Sequence, residues 1–233
     1  MEIGGSMNSS IDFSKTHVLI IDDEKFMRIM VRKLLENIGV TKISEATDGA
    51  DGLTKLAPDP PDLIILDIMM EPMNGLKFLK FIRVGMSGAQ RDLPVIVLTG
   101  SAEQAVFGTT MALDCNAFVR KGEGQGAIQN RMARVLGETM EIKESGTYLS
   151  VKIPDITITA PTTHRSRPVA PPPTKAYEIP IEEVEAGAVV ARDVTTEDGD
   201  VLLEEGSVIS ASYLNRLQDI SEIIDLPSIW VEM

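Results

Sequence analysis

Short apolar runs alternate with amphipathic stretches from His17 onward, and this alternation predicts an α/β fold. Each run has about the length of a strand that is buried on both faces of a sheet. The runs are His17–Ile21, Lys42–Glu45, Asp62–Leu66, Pro94–Leu98 and Ala117–Val119. Since strands that alternate with helices form parallel sheets, we expect a doubly wound sheet of five parallel strands with helices on both faces.

The stretches between these runs have helical spacing. From Met27 to Ile38, apolar residues recur at intervals of three and four, and Gly39 follows as a helix stop. The other predicted helices are Asp51–Leu56, Leu76–Val84, Glu103–Leu113 and Ala127–Met140. Together these elements predict one domain over residues 15–142. The polar residues 1–14 before it are expected to be disordered.

The composition changes after Glu144. Residues 143–176 contain six prolines among Thr and Ser and have no core-forming periodicity, so they predict an extended linker. A short strand at Tyr148–Ile153 is an open alternative within it. Residues 177–233 predict a small β-rich module, because two apolar runs flank a plausible hairpin turn at Asp198-Gly199. A short helix after Ser210 or Ser212 and a last strand near Ile229–Val231 complete this module.

The charge of the chain argues against several kinds of partner. Its 233 residues have a formal net charge of −13, and residues 177–233 alone contain 14 Asp and Glu against two Arg, a net charge of −12. Such a surface repels phosphate backbones and anionic lipid headgroups. We therefore expect neither nucleic-acid nor membrane partners.

Few residues are available for metal or redox chemistry of the thiol and imidazole kind. The one cysteine, Cys115, excludes an internal disulfide and a cysteine-based zinc site, and the two histidines lie far apart in the sequence. The first residues lack the basic start and apolar core of a signal peptide. No apolar run approaches the roughly 20 residues of a membrane helix. These features predict a cytoplasmic protein.

Polar residues stand at the carboxyl ends of four predicted strands, where an open parallel sheet forms a crevice. They are Asp22, Asp23, Asp67, Thr99 and Lys121. Three carboxylates in one crevice repel one another unless a hard cation such as Mg²⁺ lies among them. A hydroxyl and an ammonium group beside them could hold phosphoryl oxygens. The set predicts phosphoryl transfer to Asp67 as the nucleophile.

Four segments at these strand ends resemble the motifs of a two-component response-regulator receiver domain of the flavodoxin or CheY-like fold. They are LIIDDE at Leu19–Glu24, LIILDIMM at Leu63–Met70, VLTG at Val97–Gly100 and FVRK at Phe118–Lys121. The likeness runs from about Lys15 to Glu141. Because the four motifs occur in the right order at four strand ends, the resemblance is highly specific.

The resemblance implies a role for each matching residue. Asp67 would accept phosphate from a histidine kinase or a histidine phosphotransfer protein. Asp22, Asp23, Asp67 and the backbone carbonyl of Met69 would bind Mg²⁺.

In the same family pattern, Thr99 and Lys121 would hold the phosphoryl oxygens, and Phe118 would occupy the switch position that responds to Thr99. The implied protein is a signalling switch, not an enzyme, that acts through protein contacts on an unknown target. A phosphorylation-dependent homodimer is a further expectation.

Two positions depart from the family pattern. Glu71 stands four residues after the acceptor, where the family usually has proline, and the proline is Pro72 instead. Gly122 follows Lys121, where a proline is common. Neither change removes a reacting group. Gly75 matches the family's turn before the third helix.

The last 57 residues, 177–233, resemble the small β-rich module that accompanies HD-type cyclic-dinucleotide phosphodiesterase domains. The His-Asp pair of those catalytic domains is absent from the stretch. The resemblance implies an interaction module, with an adaptor for a separate phosphodiesterase as one alternative.

Two rival functions remain at this stage. A haloacid-dehalogenase-like, Mg²⁺-dependent phosphatase also uses an Asp nucleophile with Thr and Lys. That family needs a second Asp two residues after the nucleophile, where this chain has Met69. A DNA-binding regulator is disfavoured by the acidic tail and by the lack of a recognisable helix-turn-helix.

Overall fold

The computed structural model describes residues 12–100, 106–154, 176–195, 201–224, 226 and 228–232. Residues 12–142, without 101–105, contain the predicted five-stranded sheet. Its strands are β1 (His17–Ile21), β2 (Lys42–Ala46), β3 (Leu63–Asp67), β4 (Val95–Thr99) and β5 (Ala117–Arg120). They are all parallel and follow the order β2-β1-β3-β4-β5, which leaves β5 at one edge. The sequence prediction of a doubly wound parallel sheet is confirmed.

Five helices connect and follow these strands. They are α1 (Lys25–Asn37), α2 (Gly49–Leu56), α3 (Gly75–Val84), α4 (Phe107–Ala112) and α5 (Gln125–Gly137). The predicted helix Glu103–Leu113 is confirmed from Phe107 onward, and its first residues lie outside the described part.

Apolar side chains pack on both faces of the sheet, because successive side chains of each buried strand point to opposite sides. Leu19 and Ile21 of β1 lie in one apolar cluster, which includes residues of α2, α3 and α4. Val18 and Ile20 lie in the other cluster, with α1 and α5 residues. This alternation is why the strands appear as continuous apolar runs in the sequence.

Two segments are more ordered than the sequence predicts. Phe13 begins a short 3-10 helix, Phe13–Lys15, and its side chain is buried, although residues 1–14 are predicted to be disordered. Helix α6 (Ser145–Ser150) lies in the predicted linker, where the sequence left a strand open. Tyr148 of α6 is buried and α6 lies against α3. The first proline of the segment is Pro154, after α6, so the prolines do not act on this helix.

The C-terminal residues form two small antiparallel sheets and a helix. Strand β6 (Ala176–Ile179) pairs with β9 (Ile229–Glu232), and β7 (Val194–Thr195) pairs with β8 (Val201–Leu203). Helix α7 (Ala211–Ser221) is capped by the Ser210 side chain, one of the two starts that the sequence leaves open. The turn at Asp198-Gly199 and residues 155–175 of the predicted linker lie outside the described residues. No helix in the described ranges is both long and apolar enough to cross a membrane.

Candidate functional site

Three carboxylates converge at the carboxyl end of the sheet. Asp22 and Asp23 follow β1, and Asp67 is the last residue of β3, which pairs directly with β1. Their carboxylate oxygens lie within 4.8 Å of one another. Asp22 and Asp67 are buried and Asp23 is exposed, so the cluster opens to solvent on one side.

The loop that carries Asp22 and Asp23 is held by hydrogen bonds from its own helix. The backbone N–H of Glu24 donates to Asp22 Oδ1 at 2.7 Å. Arg28 Nη1 donates to the carbonyls of Asp22 and Asp23, at 2.8 and 3.2 Å, and its Nε pairs with Glu45 at 3.2 Å. The sequence analysis missed this positioning arginine, because an arginine on an amphipathic helix is usually a solvated residue.

Among the ion pairs of the described residues, Lys121 is the one cation that contacts the carboxylates of Asp22 and Asp67. Its Nζ lies 2.9 Å from Asp67 Oδ2 and 3.7 Å from Asp22 Oδ2. The backbone N–H of Lys121 donates to the Thr99 carbonyl at 2.8 Å, which extends the β4–β5 pairing by one residue. Gly122 follows with φ +89°, a left-handed conformation that favours glycine. Lys121 therefore contacts Asp67 although Gly122, and not the common proline, follows it in the chain.

The charges in this cluster do not balance. Burial and, to a smaller extent, the neighbouring Asp67 carboxylate together raise the pKa of Asp22 to about 6, although Lys121 opposes the shift. Burial also raises the pKa of Asp67, with Lys121 again opposing. Within the described residues, the buried Asp22 Oδ2 accepts no hydrogen bond.

A site of this kind fits a hard divalent cation such as Mg²⁺. Such an ion takes oxygen ligands, and it would supply positive charge beside Asp22 Oδ2, which accepts no hydrogen bond among the described residues and lies 3.7 Å from Lys121 Nζ. Met69 lies beside the cluster, because its backbone N–H donates to Asp67 Oδ1 at 3.3 Å. The role of its carbonyl as a ligand stays a prediction.

Thr99 stands at the end of β4, next to the strand that carries Asp67. Its side chain is buried, and its hydroxyl donates to the Gly100 carbonyl at 3.2 Å. The register pairs Leu98 with Asp67, so Thr99 comes one residue beyond the acceptor. The structure thus places Thr99 beside the site with its hydroxyl turned to its own loop.

Position 75 requires glycine, because the start of α3 lies very close to the backbone of Asp67 at the end of β3. A Cβ atom at Gly75 would lie 2.2 Å from the carbonyl oxygen of Asp67, and its N–H donates to the Ile68 carbonyl at 3.0 Å. Any larger residue would displace the backbone of Asp67 or the start of α3. The glycine noted in the sequence therefore fixes how α3 meets the site.

Phe118 lies on β5, three residues before Lys121. Its ring is fully buried and meets the Phe107 ring edge-on, with centroids 5.3 Å apart. Its backbone N–H donates to Asp219 Oδ2 of α7 at 3.1 Å. The sequence analysis missed Asp219, since an acid on a short amphipathic helix gives no signal of a partner 101 positions away. The switch role of Phe118 stays a prediction.

Comparison with known proteins identifies the first domain. The response regulator receiver domain family matches residues 18–133. Protein CcdB of Bacillus subtilis is 31% identical over 122 residues, which cover 52% of this chain and 98% of that protein. A solved structure, chemotaxis protein CheY4 of Vibrio cholerae, is 25% identical, covers 52% of this chain and 98% of its own, and superposes with a TM-score of 0.46.

A further relative corrects one expectation. Protein-glutamate methylesterase/protein-glutamine glutaminase 3 of Vibrio cholerae is 30% identical over 136 residues, which cover 58% of this chain and 37% of that protein. The prediction that the protein is a switch and not an enzyme is contradicted, because this type of receiver also occurs in a relative named as an enzyme. The match covers the receiver part, and a receiver domain alone is non-enzymatic. This chain spans little more than a third of that relative's length.

The family match ends before the C-terminal module, so the resemblance of residues 177–233 to the phosphodiesterase-associated module stays a prediction. Within the receiver part, the match covers all four strand-end motifs, from Leu19 to Lys121. The family that matches is the receiver family, which favours the receiver over the rival phosphatase with an Asp nucleophile. Over residues 18–133, this chain belongs to the response regulator receiver domain family.

Proposed function

We propose that Asp67 accepts a phosphoryl group from a histidine kinase or a histidine phosphotransfer protein. The observation that carries the proposal is the Asp67 carboxylate at a strand end, 2.9 Å from the Lys121 ammonium and inside a cluster of three acids. An Asp67 oxygen attacks phosphorus, and an acyl phosphate bond forms. The phosphorus–nitrogen bond of the donor phosphohistidine breaks, and the imidazole leaves with the electron pair.

Each neighbouring residue has a part in this transfer. Lys121 stabilises the negative charge that develops on the phosphoryl oxygens, and Thr99 contributes its hydroxyl after it turns from Gly100. Asp22, Asp23 and Asp67 would hold Mg²⁺, with the Met69 carbonyl as a further ligand. When bound, the ion neutralises part of the charge of the donor and acceptor.

The surface beside the site supports a protein as the phosphodonor. Helix α1 begins two residues after Asp23, and its Phe26 side chain is 69% exposed. Ile29 and Met30 on the same helix are also exposed, at 39% and 40%. We infer that a donor that brings phosphohistidine to Asp67 approaches across this helix, where the three apolar side chains can contact it.

We propose that the output acts through protein contacts with an unknown target. The net charge of −12 over residues 177–233 supports a protein partner rather than DNA, because it repels phosphate backbones.

Intact mass measurement after incubation with acetyl phosphate and Mg²⁺ tests the acceptor. We expect a gain of about 80 Da that depends on Mg²⁺ and is lost in Asp67→Asn. Asp62→Asn is the matched control, since Asp62 precedes the same strand at its opposite end and accepts a hydrogen bond from the His17 N–H. No gain in the wild type, or an equal gain in Asp67→Asn, would contradict the proposal.

A further inference from the structure

The first acid of the loop after β1 is fixed on several sides. The Asp22 N–H donates to the carbonyl of Ala46 on β2 at 3.2 Å, and Asp22 Oδ1 accepts the Glu24 N–H at 2.7 Å. The Asp22 carbonyl accepts from Arg28 Nη1 at 2.8 Å. Its Oδ2 is buried and accepts no hydrogen bond among the described residues. The loop therefore holds Asp22 in place and leaves this one oxygen for a ligand.

The second acid of the loop depends on Arg28 in particular. The Asp23 carboxylate is exposed, and the Asp23 carbonyl accepts from the same Arg28 Nη1 at 3.2 Å. The carbonyls of Asp22 and Asp23 belong to the two peptide units that flank the Asp23 Cα atom. Since each peptide unit is planar, one nitrogen fixes both planes and the direction in which the Asp23 side chain leaves the backbone.

Glu45 on β2 holds Arg28 in turn. Arg28 Nε donates to Glu45 Oε2 at 3.2 Å, and Arg32 Nε donates to Glu45 Oε1 at 2.6 Å. Although burial raises the pKa of Glu45, the hydrogen bonds from Arg32 and Arg28 outweigh it and hold that pKa below its ordinary value. Glu45 is therefore a carboxylate at neutral pH that binds both guanidinium groups. We call Glu45, Arg28 and Arg32 the brace.

The brace is anchored to the sheet as well as to α1. Glu45 lies opposite Ile20 in the pairing of β2 with β1, one position before the last pair of that register. Lys55 of α2 donates through Nζ to the Glu45 carbonyl and pairs with Asp51 at 2.9 Å. The position of Glu45 is thus set by a strand and a helix. Through Arg28, it is transmitted to the loop after β1.

The brace leaves the acidic cluster free to bind a cation. The ion pairs of Arg28 and Arg32 are made with Glu45, and Arg28 contacts the loop through carbonyl oxygens. The side chain of Arg28 is 11% exposed, so these contacts lie in a partly desolvated place where they are strong. An arginine bound to the carboxylates themselves would compete with a metal ion. This one fixes their backbone instead.

Fixed ligands distinguish Mg²⁺ from the larger Ca²⁺. Mg²⁺ requires near-octahedral oxygen ligands at about 2.0–2.1 Å and keeps several waters, whereas Ca²⁺ takes about 6–8 oxygen ligands at about 2.3–2.6 Å in a flexible arrangement. Three carboxylates, two of them on one fixed loop, supply few ligands and do not spread easily to the longer distances. A rigid loop therefore favours the smaller ion, and a loose loop loses that preference.

We propose that Glu45 is a positioning residue that determines ion specificity: through Arg28, it fixes the loop of Asp22 and Asp23 so that the acidic cluster binds Mg²⁺ in preference to Ca²⁺. Glu45 contacts neither the ion nor the phosphoryl group, and it acts on the spacing of the ligands. The inference rests on the part of the proposed function that assigns Mg²⁺ to the acids. It is independent of the step in which phosphorus is transferred.

Calorimetric titration of the full chain with Mg²⁺ alone and with Ca²⁺ alone tests Glu45→Gln. Glutamine keeps the length and an acceptor oxygen, and it loses the charge that holds the two arginines. We expect the Mg²⁺ affinity to fall about tenfold, since changes to groups that orient metal ligands cost about 10- to 100-fold. The Ca²⁺ affinity should fall by less than about threefold, because flexible coordination tolerates a looser loop. The ratio of the two affinities isolates geometry, because a distant charge acts equally on two divalent ions.

Asp59→Asn is the matched control. Asp59 pairs with Lys42 at the opposite end of β2, and both side chains are about half exposed. The substitution removes the same charge from a pair of the same strand and leaves the brace intact. Both affinities should stay within about twofold of the wild type.

Arg28→Lys is a second variant, on the other side of the contact. Lysine keeps the charge, but its single nitrogen cannot take the places of both Nε and Nη1. We expect the preference for Mg²⁺ over Ca²⁺ to fall in the same direction as in Glu45→Gln. This variant keeps the inference testable if Glu45→Gln misfolds.

The outcomes separate the brace from the phosphoacceptor assignment. An equal loss of both affinities, or an unchanged ratio in both brace variants, would show that Glu45 only supports the fold and would overturn the inference. A lowered ratio supports it even if Asp67 takes up no phosphoryl group, in which case the proposed transfer fails by itself. If the wild type binds neither ion, the brace inference fails together with the assignment of Mg²⁺.

Discussion

Aspartate carboxylates are buried both at the carboxyl end of the sheet and at its edge, and the two regions differ in the partners that these carboxylates have. At the carboxyl end of the sheet, Asp22 and Asp67 share Lys121 beside the exposed Asp23, and Asp22 Oδ2 accepts no hydrogen bond in the described part of the chain. At the edge of the sheet, Asp219 alone has two arginines and a backbone N–H. The first region has more negative charge than its partners balance, whereas in the second a single carboxylate has three donors.

The difference separates a site that needs a ligand from a contact that is complete. A buried carboxylate without partners is costly, and such groups concentrate where a protein binds ions or does chemistry. A buried carboxylate with all its partners defines an orientation between two parts of a fold. The predictions below test whether each region behaves in its own way.

The largest expected effect is the loss of stability in Asp219→Ala. The substitution leaves Arg131, Arg134 and the Phe118 N–H without their shared acceptor, and breaking a buried pair from one side costs about 3–5 kcal/mol. Glu222→Ala removes an exposed pair, and its cost should be below about 1 kcal/mol. Urea unfolding of the full chain measures both. Equal costs would mean that Asp219 is an ordinary surface acid.

Lys121→Ala should have the opposite signature, a large loss of chemistry and a small loss of stability. We expect phosphorylation by acetyl phosphate to slow about 10²-fold, because the cation that faces the developing charge is gone. Mg²⁺ should bind at least as tightly, since the substitution removes a positive charge 2.9 Å from Asp67. Calorimetric Mg²⁺ titration and the mass assay separate the two effects.

Arg120→Ala is the control for that prediction, because Arg120 is exposed, adjacent to Lys121 and paired only distantly with Glu123, at 3.9 Å. It should leave both the rate and the Mg²⁺ affinity unchanged. A slower rate in both variants would show that charge in general, rather than the contact of Lys121 with Asp67, supports the transfer.

The smallest expected effect concerns the segment after the receiver. Tyr148→Phe removes a hydroxyl that donates to Asp114 Oδ2 at 3.0 Å and accepts the Lys143 N–H at 3.1 Å. Asp114 keeps Arg216 and Lys143 as partners, so we expect a cost of about 1 kcal/mol in urea unfolding. Tyr177→Phe, at an exposed tyrosine of β6, should be neutral. No difference between them would place α6 outside the receiver fold.

The receiver fold and most of the acidic site could be predicted from the sequence. Strands buried on both faces form unbroken apolar runs, and parallel topology brings their carboxyl ends to one edge. The apolar runs therefore predict that Asp22, Asp67 and Lys121 lie at the same edge of the sheet. The strand bounds differ by a residue in places: β3 begins at Leu63, one residue after Asp62, whose side chain accepts the His17 N–H.

The contact of α7 with β5 and α5 could not be predicted from the sequence. Asp219 lies in an amphipathic helix, where an acid usually faces solvent, and its partners belong to a strand and a helix far away in the sequence. Helix α6 was missed for another reason. The six prolines of residues 143–176 make the whole segment resemble a linker, although all of them follow the helix at Ser145–Ser150. Both features depend on tertiary contacts that a local pattern does not contain.

The most direct test of the phosphoacceptor assignment is to locate the phosphoryl group itself. Borohydride reduces an acyl phosphate to an alcohol as phosphate leaves, and so converts a phosphorylated aspartate to homoserine. The full chain is treated with acetyl phosphate and Mg²⁺, reduced, digested and sequenced by tandem mass spectrometry. Our account predicts homoserine at position 67 and unchanged aspartate at Asp22 and Asp23. Homoserine at either of those positions, or none at all, would contradict it.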